Sequence, residues 1–382
     1  MSNINSARKA TKAVFLVCGL GMSAWAPMVP YAKERLGLND SNLGLLLLLL
    51  GGGAITMMPI SGMIAHRYGS RIVMLVAGIV LATALPLLAV LDSVVPMAIA
   101  LFVFGAGIGT IDVAMNIHGV EVQNRSDKAI MSSLHGLFSV GGLFGSLGLG
   151  FLIKAGLDHF SAALAIAVLL VIIVSVSFQF LLSPAEEKQQ VVAKEETQKS
   201  KISWLHSSVL FLGIMCFIVF LSEGAMLDWS AVFLRENRGV DEALTGVGYA
   251  AFSIAMATMR LVGDKIVAKL SSGVVVIGGS LIAASGLFLA VLTPWLATSI
   301  IGFILLGLGA ANIVPVFFSE GGKLKDVPAS VAIPAMTTIG YAGQLAGPAM
   351  LGFIAHSFTL PVAIGFCGIL MLIVAISFRS KR

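Results

Sequence analysis

The chain has 382 residues, 58% of them hydrophobic and 11% charged, with a mean hydropathy of +0.99 and a formal net charge of +5. Soluble domains carry about 25% charged residues, and helices apolar on every side need lipid or a very large core to hide them, so an ordinary soluble domain is excluded. A pI near 9.2 does not indicate a nucleic-acid binder, because the basic residues stand in short gaps between apolar runs and form no groove-sized patch.

A membrane-crossing helix needs roughly 20 apolar residues. Such helices are predicted at 12–30, 42–65, 72–91, 94–118, 129–154, 160–182, 206–234, 243–262, 273–292, 295–318, 328–355 and 360–378. The first begins near Lys12 and reads as a retained helix, not a cleaved signal. Twelve spans predict an all-α membrane protein. The charged stretch 183–205, with Glu186, Glu187, Lys188, Glu195, Glu196 and Lys199, reads as a solvated linker between six-helix bundles at 1–182 and 206–382. Cys18, Cys216 and Cys367 all fall inside apolar runs, as small packing residues with no disulfide implied. With the N-terminus inside, 19 of the 24 Lys and Arg residues fall on the inner side, which predicts that both termini and the linker face the cytoplasm.

The two halves repeat one another. In the fourth span Gly107, Gly109 and Asp112 match Gly307, Gly309 and Asn312 of the tenth at an offset of 200, while Gly141, Gly145 and Gly150 match Gly343, Gly347 and Gly352 at 202. Glycines four apart share a helix face and permit close helix contact. Parallel repeats of this kind are a common plan for transporters.

The loop after the second span carries Gly62, His66, Arg67, Gly69 and Arg71. It resembles the major facilitator signature G-x-x-x-D-R-x-G-R-R, with a weaker counterpart after the eighth span at Arg260, Gly263, Asp264, Lys265 and Lys269. The resemblance implies two pseudo-symmetric six-helix bundles that alternate in access, with Gly62, His66, Arg67, Gly69, Arg71, Asp264 and Lys265 at a cytoplasmic gate. Asp112-Val-Ala-Met-Asn116 is similar to a stretch of the fucose permease group. The strings around His135 and Glu223 resemble a bacterial branch that includes a protein implicated in rhizopine transport. Three departures stand out: His66 occupies the usual Asp position, the first span has no carboxylate, and Gly347-Pro348 lies in the eleventh span, not the fifth.

An ionised group at the bilayer centre costs about 2.5–3.5 kcal/mol on insertion scales, so polar residues within spans need a reason. Glu223 falls near the middle of the seventh span and Asp112 in the fourth, with Asn116 one turn on along the same face. Each acid can load a proton on one side and release it on the other, and His135 is placed to relay a proton to Asp112. No lysine or arginine falls mid-span, which disfavours organic phosphates and dicarboxylates and favours neutral polyols, sugars or amino sugars. Trp25, Asn116, Asp228, Asn312, Tyr341 and Gln344 are the residues expected to hold such a solute.

No nucleophile–base or metal cluster marks an enzyme, and no G-x-x-x-x-G-K-[ST] loop points to ATP. The reading is a secondary transporter of a small polar organic solute, coupled to protons, with no cofactor or metal. Its partners are the solute, protons and the lipid bilayer, with no nucleic acid, and it is expected to be a monomer. The alternatives are efflux of small amphiphiles and a non-transporting membrane receptor.

Overall fold

In a computed structural model, which describes residues 4–38, 40–126, 128–187, 206–240 and 247–380, every regular element is helical. In chain order they are α1 (Ile4–Ala24), a 3-10 turn (Ala26–Met28), α2 (Val29–Arg35), α3 (Asp40–Tyr68), α4 (Ser70–Val90), α5 (Val94–Ser126), α6 (Met131–Lys154) and α7 (His159–Phe178). The second half holds α8 (Ser207–Arg238), α9 (Val247–Lys269), α10 (Ser272–Leu292), α11 (Leu296–Ala310), α12 (Ile313–Gly322), α13 (Ala329–Ser357) and α14 (Leu360–Ser380). Ten spans among the described residues are long and apolar enough to cross a membrane. Helices α9 and α13 match them in length, at 23 and 29 residues. Most of the 183–205 linker, from residue 188, lies outside the described residues, as do residues 241–246.

Two chain-order spans are broken helices. Pro27 interrupts the first, between α1 and α2. Pro315 interrupts the tenth: it has no N–H to give the carbonyl of residue 311 four positions back, and the helix opens at Ala311–Asn312 between α11 and α12. The eighth helix runs through Lys269, so Arg260 and Asp264 lie inside it and not in the loop that follows.

The chain forms two compact units. The first is Met1–Asp127, Leu137–Trp204 and Gly322–Ala335; the second is Lys128–Gly136, Leu205–Gly321 and Met336–Arg382. Helices α6 and α13 are therefore divided, each contributing its first turns to one unit and its remainder to the other. In the first unit α3 and α4 pack along α5, and α4 and α1 on α7. In the second, α10 packs on α11 and α14, and α9 on α11. Cys18, Cys216 and Cys367 are buried free thiols.

Close glycine contacts give the repeat its register. A Cβ on Gly105 would stand 1.9 Å from the Leu50 carbonyl oxygen, and one on Gly307 2.5 Å from that of Phe252. Gly107 faces Ala77 and Leu81 as Gly309 faces Gly279 and Ala283. Each of these contacts repeats at 202. The 200 offset expected for the fourth and tenth spans is therefore corrected: glycines at every second position let the sequence match slip by two residues. Asp112 then corresponds to Val314, not Asn312. The spacing-of-four glycines do make a close helix contact: Gly141 presses on the Leu16 carbonyl and Gly145 on that of Leu20, as Gly343 presses on Phe217.

Candidate functional site

In the second unit an ion pair joins two spans. Glu223 lies at the middle of α8, and Arg260 lies in the interior of α9. The Arg260 Nη2 donates to both Glu223 carboxylate oxygens, at 3.2 and 3.4 Å. Its Nε donates at 3.1 Å to the Ala311 carbonyl, the acceptor that Pro315 leaves without a helical partner. One guanidinium thus joins three elements: α8, α9 and the α11–α12 break. The expectation that no cation stands mid-span is overturned, because α9 extends past its predicted end and buries Arg260, which is only 7% exposed. A buried carboxylate or guanidinium costs several kcal/mol unless it is paired, and this pair cancels both charges. A span therefore does hold a cation, and a neutral solute no longer follows from the lack of one.

Several sequence-predicted residues gather around the pair. Gln344 on α13 packs against Gly224, next to Glu223. Tyr341 meets Phe220 edge-on at 5.7 Å. His135, in the first turns of α6, places its ring 5.7 Å from that of Phe318 and lies within electrostatic reach of Arg260. It belongs to the second unit, whereas Asp112 belongs to the first. Asn312 is buried at the helix break. Its amide donates to the Met259 carbonyl at 3.4 Å, and its Oδ1 has no hydrogen-bond partner among the described residues and presses on Gly263, where a Cβ would stand 2.0 Å away. The side chain of Asp228 lies outside the described residues.

In the first unit Asp112 is 6% exposed. Its neighbour along α5 is Asn116, whose Nδ2 donates to the Asp112 carbonyl at 2.8 Å and reaches its carboxylate at 3.4 Å. Trp25 is buried at the first helix break, its indole N–H without a hydrogen-bond partner among the described residues. His118 is held on both sides. Its Nε2 accepts from the Leu182 N–H at 3.0 Å, so Nδ1 carries the proton toward Thr11, also 3.0 Å away.

The signature residues are anchored on the same helix ends. Gly62 lies under Ser330 and Pro334, leaving no room for a side chain, and the His66 ring stands 3.4 Å from the Ser330 hydroxyl. Gly69 turns the chain into α4 at φ 87°, with Pro184 against it. Arg67 lies over its neighbour Tyr68 and Arg71 over Phe178. Asp264 accepts from the Ser133 N–H at 3.0 Å, satisfying a free donor in the first turn of α6, and Lys265 is exposed.

Sequence reasoning missed the carboxylate that plays this capping part for α4. Glu187 accepts from the Ser70 N–H at 2.8 Å and from the Ser70 hydroxyl. Burial pushes its carboxyl up to about 7, against the pull of those two hydrogen bonds; Glu121 also raises it and Arg125 lowers it. Arg125 pairs with Glu121 at 2.6 Å and donates to the Glu186 carbonyl. The signal was present as acids directly after Pro184, but they read as solvated linker. Arg260 was visible too, inside the predicted span 243–262, and was hidden by its likeness to a loop motif.

The profile of the Major Facilitator Superfamily matches residues 13–323. An MFS-type transporter of Yersinia pestis is 46% identical over 98% of this chain and 96% of its own length. Membrane protein MosC of Rhizobium meliloti is 30% identical over 96% of this chain and 89% of its own. Among solved structures, the fucose:proton symporter of E. coli aligns with a TM-score of 0.74 at 14% identity, covering 98% of both chains.

Proposed function

This chain belongs to the Major Facilitator Superfamily, a family of membrane transporters and not of enzymes, and on that premise we propose that it is a proton-coupled carrier of a small polar organic solute. It works by alternating access across a bacterial inner membrane, with both termini in the cytoplasm. The observation that carries this reading is Glu223, a carboxylate at mid-span whose side chain is 17% exposed beside a 9% exposed Arg260. An acid in this position can change its protonation state as access alternates. Asp112, the deepest acid of the other half, is the second candidate, and His135 tunes the field around Arg260.

Glu223, Gln344, Asn312 and the aromatic face of Tyr341 in the second unit, and separately Asn116 and Trp25 in the first, are groups of the kind that hold sugars, polyols and amino sugars. The likeness to a fucose:proton symporter supports the pairing of a hydroxylated solute with protons. His66, Arg67, Arg71 and Asp264 belong to the cytoplasmic gate.

The test uses proteoliposomes and a solute found by thermal-shift screening of sugars, polyols and organic acids. Glu223→Gln and Asp112→Asn keep the shape of a protonated acid but cannot titrate. At least one of them, Glu223→Gln first, is expected to retain solute exchange and lose accumulation driven by an imposed proton gradient. Full accumulation in both single variants and the double variant sinks the coupling assignment.

A further inference from the structure

We propose that the first turn of the linker, residues 182–187, is a pH-operated latch on the signature loop, seated in acid and released toward alkaline pH on the membrane face that carries the linker. The latch is independent of the solute and of the proton-coupling reading of Glu223.

The turn is built and then pinned. Ser183 and Glu186 form a capping box: the Ser183 N–H and hydroxyl donate to Glu186 Oε2 at 2.7 and 2.8 Å, and the Glu186 N–H reaches the Ser183 hydroxyl at 3.3 Å. Pro184 takes the first helical position, where its missing N–H costs nothing. The Leu182 N–H donates to His118 Nε2 at 3.0 Å, Arg125 donates to the Glu186 carbonyl, and Pro184 lies against Gly69 of the signature loop. All of these residues belong to the first unit.

Glu187 closes the seat. It accepts from the N–H and the hydroxyl of Ser70, the first residue of α4. Gly69, at the N-cap position, has no side chain to offer, so α4 borrows its cap from a residue 117 positions away. A local cap serves its helix at every pH. A borrowed one serves only while the linker is docked.

Docking is linked to a proton because the seat shields Glu187 from water. Charged and titratable groups around it are Glu121, Arg125 and His118 on α5, Arg67 and Arg71 at the α3–α4 turn, and Glu186 in the linker turn itself. Of these, Glu121 raises the Glu187 carboxyl and Arg125 lowers it, while Arg67 and Arg71 lie over Tyr68 and Phe178. Seated, the carboxyl titrates at about 7; released into water it returns to its ordinary 4.5. The latch therefore holds most tightly below pH 4.5, weakens about tenfold per pH unit up to about 7, and stays at its weakest above that. Release takes the cap from α4 and the packing of Pro184 from Gly69, so the signature loop loosens with the linker.

Hydrogen exchange of purified full-length protein in detergent tests this, read on peptides covering 66–75 and 180–187 and normalised for the pH dependence of intrinsic exchange. Between pH 5 and pH 8 both segments are expected to lose protection together, by about tenfold or more. Glu187→Gln keeps an acceptor for Ser70 but cannot ionise, and should protect both segments equally at the two pH values. Equal protection at pH 5 and pH 8 in wild type overturns the latch. A loss that survives in Glu187→Gln overturns it as well, since another group then senses the pH. A loss confined to 180–187 overturns the hold on the signature loop. Should Glu187→Gln fail to fold, a nitroxide on Ala185→Cys decides alone, at an exposed position of the turn. Its spectrum should pass from immobile at pH 5 to mobile at pH 8, and an unchanged spectrum overturns the proposal.

Discussion

The two halves place an acid inside a span, and they treat it differently. Asp112 has an amide for company on its own helix, and its charge meets no cation at hydrogen-bonding distance among the described residues. Glu223 faces a guanidinium that is itself held by a broken helix. The repeat sharpens the contrast. Gly145 on Leu20 and Gly347 on Leu221 set the first and seventh spans 201 apart, so the counterpart of Glu223 is Met22. The 202 register of the glycine contacts makes Met58 the counterpart of Arg260. One half thus carries methionines at the positions where the other carries an ion pair.

The largest effect expected from that difference is on stability. Arg260→Met takes from Glu223 its cation and should cost about 3–5 kcal/mol in denaturant unfolding, whereas adding Glu223→Met should recover most or all of it. Asp112→Asn, which removes no ion pair, should stay within about 1 kcal/mol of wild type. A double methionine variant as unstable as Arg260→Met would break the comparison.

Next in size is a test of the shared scaffold. Gly105→Ala and Gly307→Ala each drive a methyl into a backbone carbonyl and should each lower stability by about 1–3 kcal/mol. A loss confined to one of them would mean that the halves do not pack alike.

Each unit also caps a helix with an acid, Glu187 on α4 and Asp264 on α6. Glu187 titrates at about 7 in the fold, above the ordinary 4.5. The folded state therefore holds this proton more tightly than the unfolded one. The associated stability is fully present below pH 4.5 and is lost as pH rises through about 7. Glu187→Gln should flatten the melting temperature across that window, and an unchanged slope would remove the assignment. The smallest effect is at the other cap. Asp264→Asn keeps one acceptor for the Ser133 N–H and gives up the charge beside a helix N-terminus, worth about 0.3–1 kcal/mol, read as a small fall in melting temperature.

Hydropathy and periodic glycines made the membrane helices, the duplication and the close helix contacts legible, because lipid forces each span to satisfy its own backbone and leaves small residues to set the contacts. Of the site, the identities of Glu223, Asp112 and Asn116 were readable, since an acid in an apolar run stands out against its surroundings. Partnership was not. Arg260 and Glu223 are separated by 37 residues and Pro315 by a further 55. A hydrogen bond from a guanidinium to a carbonyl freed by a proline has no signature along the chain.

The repeat register was decided in the same way. Sequence allowed 200 or 202, and only the seating of Gly105 on Leu50 and Gly307 on Phe252 selects the second. Sequence by itself determined which residues must avoid lipid. Tertiary structure decided which of them meet, because the energy of a buried charge depends on the atoms a few ångströms away, whatever their distance along the chain.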